Sequence, residues 1–316
     1  MRVFVTGATG FIGSAVVREL LSTGHQVLGL ARSEQGAESL KAAGAEVVRG
    51  DLDHLDSFRR GAAASDGVIH TAYIHDWSVS REDAAKVDRR AIEAMGEALA
   101  GTDRPFVITS GTGGLSPGRV ATEESVPPSE SLGGGRYANE LAAVSFTTRG
   151  VRASVVRFPP TVHGRGDHGF IAILINIART KGVSAYPGDG SNRWPAVHRL
   201  DAAHLFRLAV ESAPAGARLH GVGEEGIPVR EIAEVIGRHL NVPVRSIPRE
   251  EANLHFGFLG AFFSLDAPAS STLTQQLLGW HPAQPGLIAD LEEGHYFEQR
   301  GDGQNSMATT TRAVAS

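Results

Sequence analysis

The 316-residue chain contains no cysteine. That excludes a disulfide framework, a thiolate nucleophile and Cys-ligated zinc or iron–sulfur sites, and it suits a reducing compartment. Strong charge of one sign is missing too, since 30 basic against 35 acidic side chains leave a net charge of −5. Without a basic stripe or interleaved aromatics, nucleic acid is not an expected partner. No apolar run approaches the ~20 residues of a membrane-crossing helix. The opening Met-Arg-Val-Phe-Val-Thr-Gly reads as a strand start, not a signal peptide. A cytoplasmic protein acting on a small molecule is the expectation, with no nucleic acid or membrane partner and with a homodimer as an option. Lysine has a gap of its own, with none between Lys86 and Lys181.

Glycine is in excess: 38 residues, about 12% against a usual ~7%. It is scattered in short groups, which implies tight turns and close backbone approaches, not a linker. A chain of this length buries a large core without staples and divides into two lobes. Short apolar runs at 2–6, 27–30, 46–49, 67–70, 105–109 and 152–157 alternate with helical stretches to 21 and near 35–43, 55–63, 80–100 and 136–149. Strands alternating with helices imply βαβ units with right-handed crossovers. The fold class is α/β, a Rossmann-type doubly wound parallel sheet with a smaller C-terminal α/β substrate lobe. Residues 1–160 are expected to form the dinucleotide-binding domain. Residues 161–298 are expected to form mainly the substrate lobe, with some segments returning to the Rossmann domain, and 299–316 a mobile polar tail.

Between the first strand and the first helix stands Gly7-Ala8-Thr9-Gly10-Phe11-Ile12-Gly13. The first Gly allows the tight turn, the second lets a pyrophosphate approach the backbone, and the third packs helix against strand. The helix N-terminus supplies free N–H groups and a positive dipole end. An NAD site commonly places a carboxylate at the tip of the second strand, about 20 residues on. Here that tip reads Ala31-Arg32-Ser33, and Arg32 with Ser33 suits a 2′-phosphate, so NADP(H) is expected over NAD(H). Asp51, followed by Leu52, is placed either to meet the adenine or to cap the next helix. Thr71, Ala72 and Tyr73 end the fourth strand, where the chain passes the cofactor; His70 reads as a packed strand-end residue.

These residues resemble the short-chain dehydrogenase/reductase superfamily, most of all its extended or atypical branch, the NAD-dependent epimerase/dehydratase type. The likeness spans about residues 1–295 and rests on Gly7–Gly13, Gly50-Asp51-Leu52, Val107-Ile-Thr-Ser110, Arg157-Phe-Pro-Pro160 with Thr161-Val162-His163-Gly164, Gly188-Asp189-Gly190 and Pro195–Asp201. The resemblance implies hydride transfer to or from a carbonyl or alcohol, a Ser or Thr after the fifth strand, and a Tyr-x-x-x-Lys helix. The ammonium is there because a phenol of pKa about 10 is a poor acid–base near neutrality. Here Tyr137 is followed four residues on by Leu141. Counting by the family's spacing, Thr112 pairs with Tyr137, or Gly111 pairs with Arg136 and Glu140 takes the place of the Lys. Tyr137 with Thr112 and Ser110 is the catalytic expectation. His163, His168, Tyr73, His75 and Asp76 are other proton sources, and a sugar or nucleotide-sugar epimerase/dehydratase or a non-catalytic NADP sensor are the alternatives.

Ligands of open α/β sheets lie beyond the carboxyl ends of the strands. The substrate is therefore expected against His75, Gly111, Arg136 and His163. Arg165, Arg193 and Arg199 are the cations that could reach a diphosphate. Trp194, Phe256, Phe258, Phe262 and Phe263 line a pocket or fill a core. Asp201 is expected to cap the helix that follows it. No metal is expected, because the histidine spacings are not those of a helical ligand pair.

Overall fold

A computed structural model of the chain describes residues 1–298 except Asp53, Trp77 and 129–133; the expected tail at 299–316, like Trp77 of the loop after the fourth strand, lies outside the described residues. The first half runs β1 (Arg2–Thr6), α1 (Phe11–Ser22), β2 (Gln26–Ala31), α2 (Glu34–Ala42), β3 (Glu46–Arg49), α3 (Asp56–Ala63), β4 (Gly67–His70), α4 (Arg81–Leu99), β5 (Pro105–Gly111), α5 (Gly134–Ser145) and β6 (Arg152–Phe158). Then come β7 (Thr161–His163), α6 (Phe170–Lys181), β8 (Ser184–Pro187), β9 (Arg193–His198), α7 (Arg199–Ser212), β10 (Arg218–His220), β11 (Glu224–Pro228), α8 (Val229–Leu240) and β12 (Val244–Ile247). Four short helices follow: α9 (Ala252–Phe256), α10 (Gly260–Phe263), α11 (Thr272–Leu278) and α12 (Leu287–Glu292).

Seven strands form one sheet in the order β10-β6-β5-β4-β1-β2-β3, parallel at every pairing. Its inner strands are buried on both faces, while the edge strand β3 is only partly covered. Val3 and Val5 point to a cluster containing Val16, Leu20 and Phe206, while Phe4 and Phe106 point to one containing Phe58, Met95 and Phe146. Burying each such side chain is worth about 1.5–3 kcal/mol, so continuous β-branched and aromatic runs favour a central parallel sheet over an exposed one. The order changes direction at β1/β4, and the dinucleotide crevice of such sheets opens there. β10 and α7 come from the second half of the sequence yet build the sheet's edge and its α1-side layer, respectively.

A second core sits among α6, α8, β8, β9 and the short helices, with Trp194, Phe256 and Phe263 all buried. These three are core; Phe258 is exposed, and Phe262 lies between Phe170 (5.7 Å between centroids) and the Arg81 guanidinium (5.2 Å). Asp201 does not cap α7. His198 does, accepting from the Leu200 amide at 3.3 Å, so the helix begins at Arg199 and Asp201 lies inside its first turn. There its carboxylate accepts from the amides of Ala283 and Gln284 (3.0 and 3.1 Å) and anchors the segment before α12.

Candidate active site

The glycine loop is shaped by exclusion of side chains. Gly7 has φ +64°, and a Cβ on it would stand 2.6 Å from Thr71 Oγ1 and 2.7 Å from the Ala72 nitrogen. A Cβ on Gly13 would fall 2.0 Å from the Gly7 carbonyl oxygen, itself the acceptor for the Gly10 amide (2.9 Å). Thr71 and Ala72 therefore press on the loop, as expected of the strand that passes it. Gly10 occupies the N-cap of α1 with no side-chain cap, and the first turn holds no acid. The leading N–H groups have no side-chain acceptor and face the crevice at the positive end of a 12-residue helix. A pyrophosphate fits this cradle. Ile12 packs on the core beneath it, and Phe11 lies edge-on to His168 (5.9 Å) under the Arg199 guanidinium (4.5 Å).

At the far end of the crevice, Arg32 is exposed beyond β2. Ser33 caps α2 by accepting from the Gly36 amide (3.1 Å). A Cβ on Gly36 would lie 3.1 Å from the Thr9 methyl, so Thr9 is at the same corner. Arg49, absent from the sequence reading, joins them: it donates to the Ser33 carbonyl at 2.6 Å and pairs with Glu34 at 3.2 Å. The register Ala31↔Arg49 brings it there. Asp51 accepts from the His54 amide (3.1 Å) and pairs with its ring (2.8 Å). It caps the turn ahead of α3 and is not the cap of α3 itself, which is Leu55. Leu52 packs against the adjoining core.

Below the crevice lies a buried polar chain. His70 meets Thr6 Oγ1 through Nδ1 (2.6 Å) and Asp88 through Nε2 (3.0 Å). Asn139 donates to the other Asp88 oxygen (2.7 Å) and to the Ala85 carbonyl (2.9 Å). Burial opposes ionisation of Asp88, but the hydrogen bonds from His70 and Asn139 and the charges of His70 and Arg136 outweigh it, holding the carboxyl below its ordinary range. The chain ties β1, β4, α4 and α5 together and fixes the first turns of α5.

On α5, Arg136 lies over the Tyr73 ring at 4.1 Å, and Tyr73 meets His75 edge-on at 5.2 Å. The His75 loop is open to water, yet close packing of the ring and then the charges of Arg136 and His168 lower its pKa to about 4. Phe11, His168, His75, Tyr73 and Arg136 thus form one wall. One turn further along α5, Glu140 is buried and holds Arg157 through both oxygens, with contacts of 2.7, 3.0 and 3.1 Å. Arg136, Glu140 and Ala143 share the inward face. Tyr137 is half-buried on the neighbouring face, in line with exposed Leu141, and makes no side-chain hydrogen bond among the described residues. Ser110 and Thr112, on either side of Gly111, are buried, and neither hydroxyl has a partner among the described residues.

His163 is apart from this wall. It is fully buried, bonds Asp290 through Nδ1 (2.9 Å) and lies edge-on to His198 (5.3 Å). Asp290 also accepts from His295 at 2.9 Å. Hydrogen bonds from both histidines keep the Asp290 carboxyl below its ordinary range against the opposing effect of burial. The arginines suggested for a diphosphate are engaged. Arg193 is bound twice to Asp266 (2.9 and 3.0 Å), and Arg199 donates to Ser14 Oγ (3.0 Å) and the Arg165 carbonyl (2.9 Å).

The family model described as "NAD dependent epimerase/dehydratase family" matches residues 3–220. A Schizosaccharomyces pombe relative, "Uncharacterized protein C2A9.02", is 54% identical over 298 residues, covering 94% of this chain and all of the relative. The 4-hydroxy-2-methyl-3-oxo-4-farnesyl-3,4-dihydroquinoline-1-oxide ketoreductase of Stigmatella aurantiaca is 28% identical over 226 residues, 68% of this chain and 66% of that one. Among solved structures, DesIV (dTDP-glucose 4,6-dehydratase) from Streptomyces venezuelae with NAD and TYD bound superposes with a TM-score of 0.77 at 22% identity, over 95% of this chain and 98% of its own. The glycine cradle, the switch in strand order and these matches agree: the chain belongs to the NAD dependent epimerase/dehydratase family and is an oxidoreductase-type enzyme of it.

Proposed function

We propose that the chain is a cytoplasmic, NADP(H)-preferring reductase or dehydrogenase acting on the carbonyl or alcohol of a small, largely apolar molecule. The observation that carries the cofactor choice is the corner of Arg32, Ser33 and Arg49, two guanidiniums beside the N-terminus of α2 with no carboxylate at Ala31-Arg32-Ser33 itself, the nearby Glu34 being turned to Arg49 (3.2 Å). The bound nicotinamide supplies or accepts the hydride. Gly7, Gly10 and the first N–H groups of α1 hold the pyrophosphate, and Thr71, Ala72 and Tyr73 border the nicotinamide half. Ser110 and Thr112, whose hydroxyls are otherwise unpaired, orient the substrate oxygen, and Tyr137 exchanges its proton. A nucleotide-sugar epimerase or dehydratase has less support, because Arg193 and Arg199 are already committed to Asp266, Ser14 and the Arg165 carbonyl.

The test is titration of the protein with NADPH and NADH, repeated on Arg32→Ala and Arg49→Ala. Charge-assisted hydrogen bonds of about 1.5–3 kcal/mol correspond to at least about tenfold tighter NADPH binding. Either variant should remove most of that margin and leave NADH unaffected. Tighter binding of NADH by the unaltered protein would sink the 2′-phosphate reading.

A further inference from the structure

The guanidinium of Arg136 is held in an unusual state. Its Cζ stands over the Tyr73 ring, 4.1 Å from the centroid, so the ring covers one side of the group. Stacking occupies a face and leaves the edge, where the N–H donors point. Among the described residues none of those donors meets an acceptor. Asp88, the nearest buried carboxylate to feel its charge, has its two oxygens committed to His70 and Asn139. Arg136 also stands in the first turn of α5, which has no acidic residue and whose backbone presents its positive end. The neighbouring cation on α5's inner side, Arg157, is by contrast bound to Glu140.

The place matters as much as the state. Tyr73 is two residues from Thr71, whose hydroxyl lies 2.6 Å from where a Gly7 Cβ would stand. The free guanidinium edge is therefore at the nicotinamide end of the dinucleotide crevice and beside the substrate. A half-buried fork with no acceptor among the described residues matches a planar two-oxygen anion.

We propose that Arg136, braced by Tyr73, is the specificity-determining anion subsite of the enzyme, so that the substrate carries a carboxylate near its reacting carbon. The inference rests on the oxidoreductase reading of this crevice, with the carboxylate bound in two parallel N–H···O bonds and the apolar remainder directed toward the second lobe. Lysine would not serve equally, because an ammonium cannot stack by its face and bind by its edge. Phenylalanine at 73 would keep the platform, whereas leucine would not.

The probes are benzoate and benzamide, one planar frame with and without the charge, titrated calorimetrically into the protein saturated with NADP+. A second arm follows NADPH oxidation with benzoylformate and its neutral methyl ester. Benzoate should bind about tenfold or more tightly than benzamide, and Arg136→Gln and Tyr73→Leu should erase that ratio. Arg136→Lys should retain only part of it and Tyr73→Phe most of it, with NADP+ affinity unaltered by any Arg136 variant. Equal affinity for the two probes, or a ratio that survives Arg136→Gln, overturns the subsite. Failure of both benzoylformate and its ester to be reduced, with the benzoate preference intact, counts against the choice of reaction and not against Arg136.

Discussion

Replacing Glu140 by Lys would recreate, one residue out of phase with Tyr137, the lysine that the superfamily's helix normally carries, and it should destroy the fold. Glu140 and Arg157 are 1% and 0% exposed, joined by three contacts of 2.7–3.1 Å, with Arg218 a further 3.6 Å away. Arg157 also donates through Nη1 to the Glu123 and Ser125 carbonyls (3.2 and 3.1 Å). Removing one partner of a buried pair leaves an uncompensated charge and costs about 3–5 kcal/mol. That is the expectation for Glu140→Gln, which keeps the shape and loses the charge. Lysine adds repulsion from Arg157 of roughly 3–4 kcal/mol at an effective dielectric near 20. The sum approaches the whole stability of an ordinary domain. Thermal unfolding read by circular dichroism should place Glu140→Gln roughly 6–20 °C below the unaltered protein, with Glu140→Lys recovered unfolded. The double replacement Glu140→Leu with Arg157→Met removes both charges and should regain at least half of the loss, short of all of it because two carbonyls lose their donor. A Glu140→Gln shift below ~1 kcal/mol, or a folded and active Glu140→Lys enzyme, refutes this assignment of Glu140 to structure.

Three further outcomes follow from the geometry. Gly13→Ala puts a methyl 2.0 Å from the Gly7 oxygen; dinucleotide binding should vanish in a fluorescence titration, and retained affinity would mean the loop relaxes at little cost. Tyr137→Phe should lower kcat for any reduced carbonyl about 10²–10⁴-fold while leaving NADPH affinity alone, and unchanged turnover removes Tyr137 from the reaction. His220 is fully buried, donates through Nδ1 to the Ser270 carbonyl (2.8 Å), and is lowered to about 4, chiefly by burial. Its folded pKa lies below the unfolded value near 6.5, so the unfolded chain takes the proton first. Stability should fall as pH drops from 6.5 toward 4, by up to ~1.4 kcal/mol per unit. His220→Asn, which can keep the bond to Ser270, should flatten urea midpoints across that window; an unchanged slope would assign the acid sensitivity elsewhere.

The sheet and the glycine loop were legible in the sequence because both are written locally. An apolar run of four to seven residues between turn residues already defines a buried strand, and each glycine of Gly7–Gly13 answers a contact within the turn or with the end of the neighbouring strand β4. What escaped local reading depends on pairing in space. Arg49 reaches the Ser33 corner only through the β2–β3 register. The chain from Thr6 through His70 and Asp88 to Asn139 joins residues 64, 18 and 51 positions apart, and no periodicity announces it. Asp201 had a plausible capping position, but His198 accepts from Leu200 and starts the helix earlier, leaving the carboxylate to hold residues 283 and 284.

The same distinction explains why the active-site helix was the hardest part to read. Its sequence offers Arg136, Tyr137, Glu140 and Leu141, and helix geometry alone lets either i,i+4 pair face inward. The decision falls to Arg157, a cation on β6 whose strand parity turns it to α5 beside Ser110. A buried guanidinium requires a carboxylate, so Glu140 must face it, and Arg136 follows Glu140 onto the inner face one turn away. The superfamily's helix is expected to bring a cation toward the reaction from the position of Leu141 if Tyr137 is its tyrosine, or of Glu140 if Arg136 stands in the tyrosine's place. In this chain Glu140 is neutralised from within the sheet, and the cation stands a turn nearer the helix N-terminus, stacked on Tyr73. Under the proposed assignment, the ammonium beneath a phenol that the resemblance implies would give way to a guanidinium edge, a change that would bear on which molecule is held as much as on which proton moves.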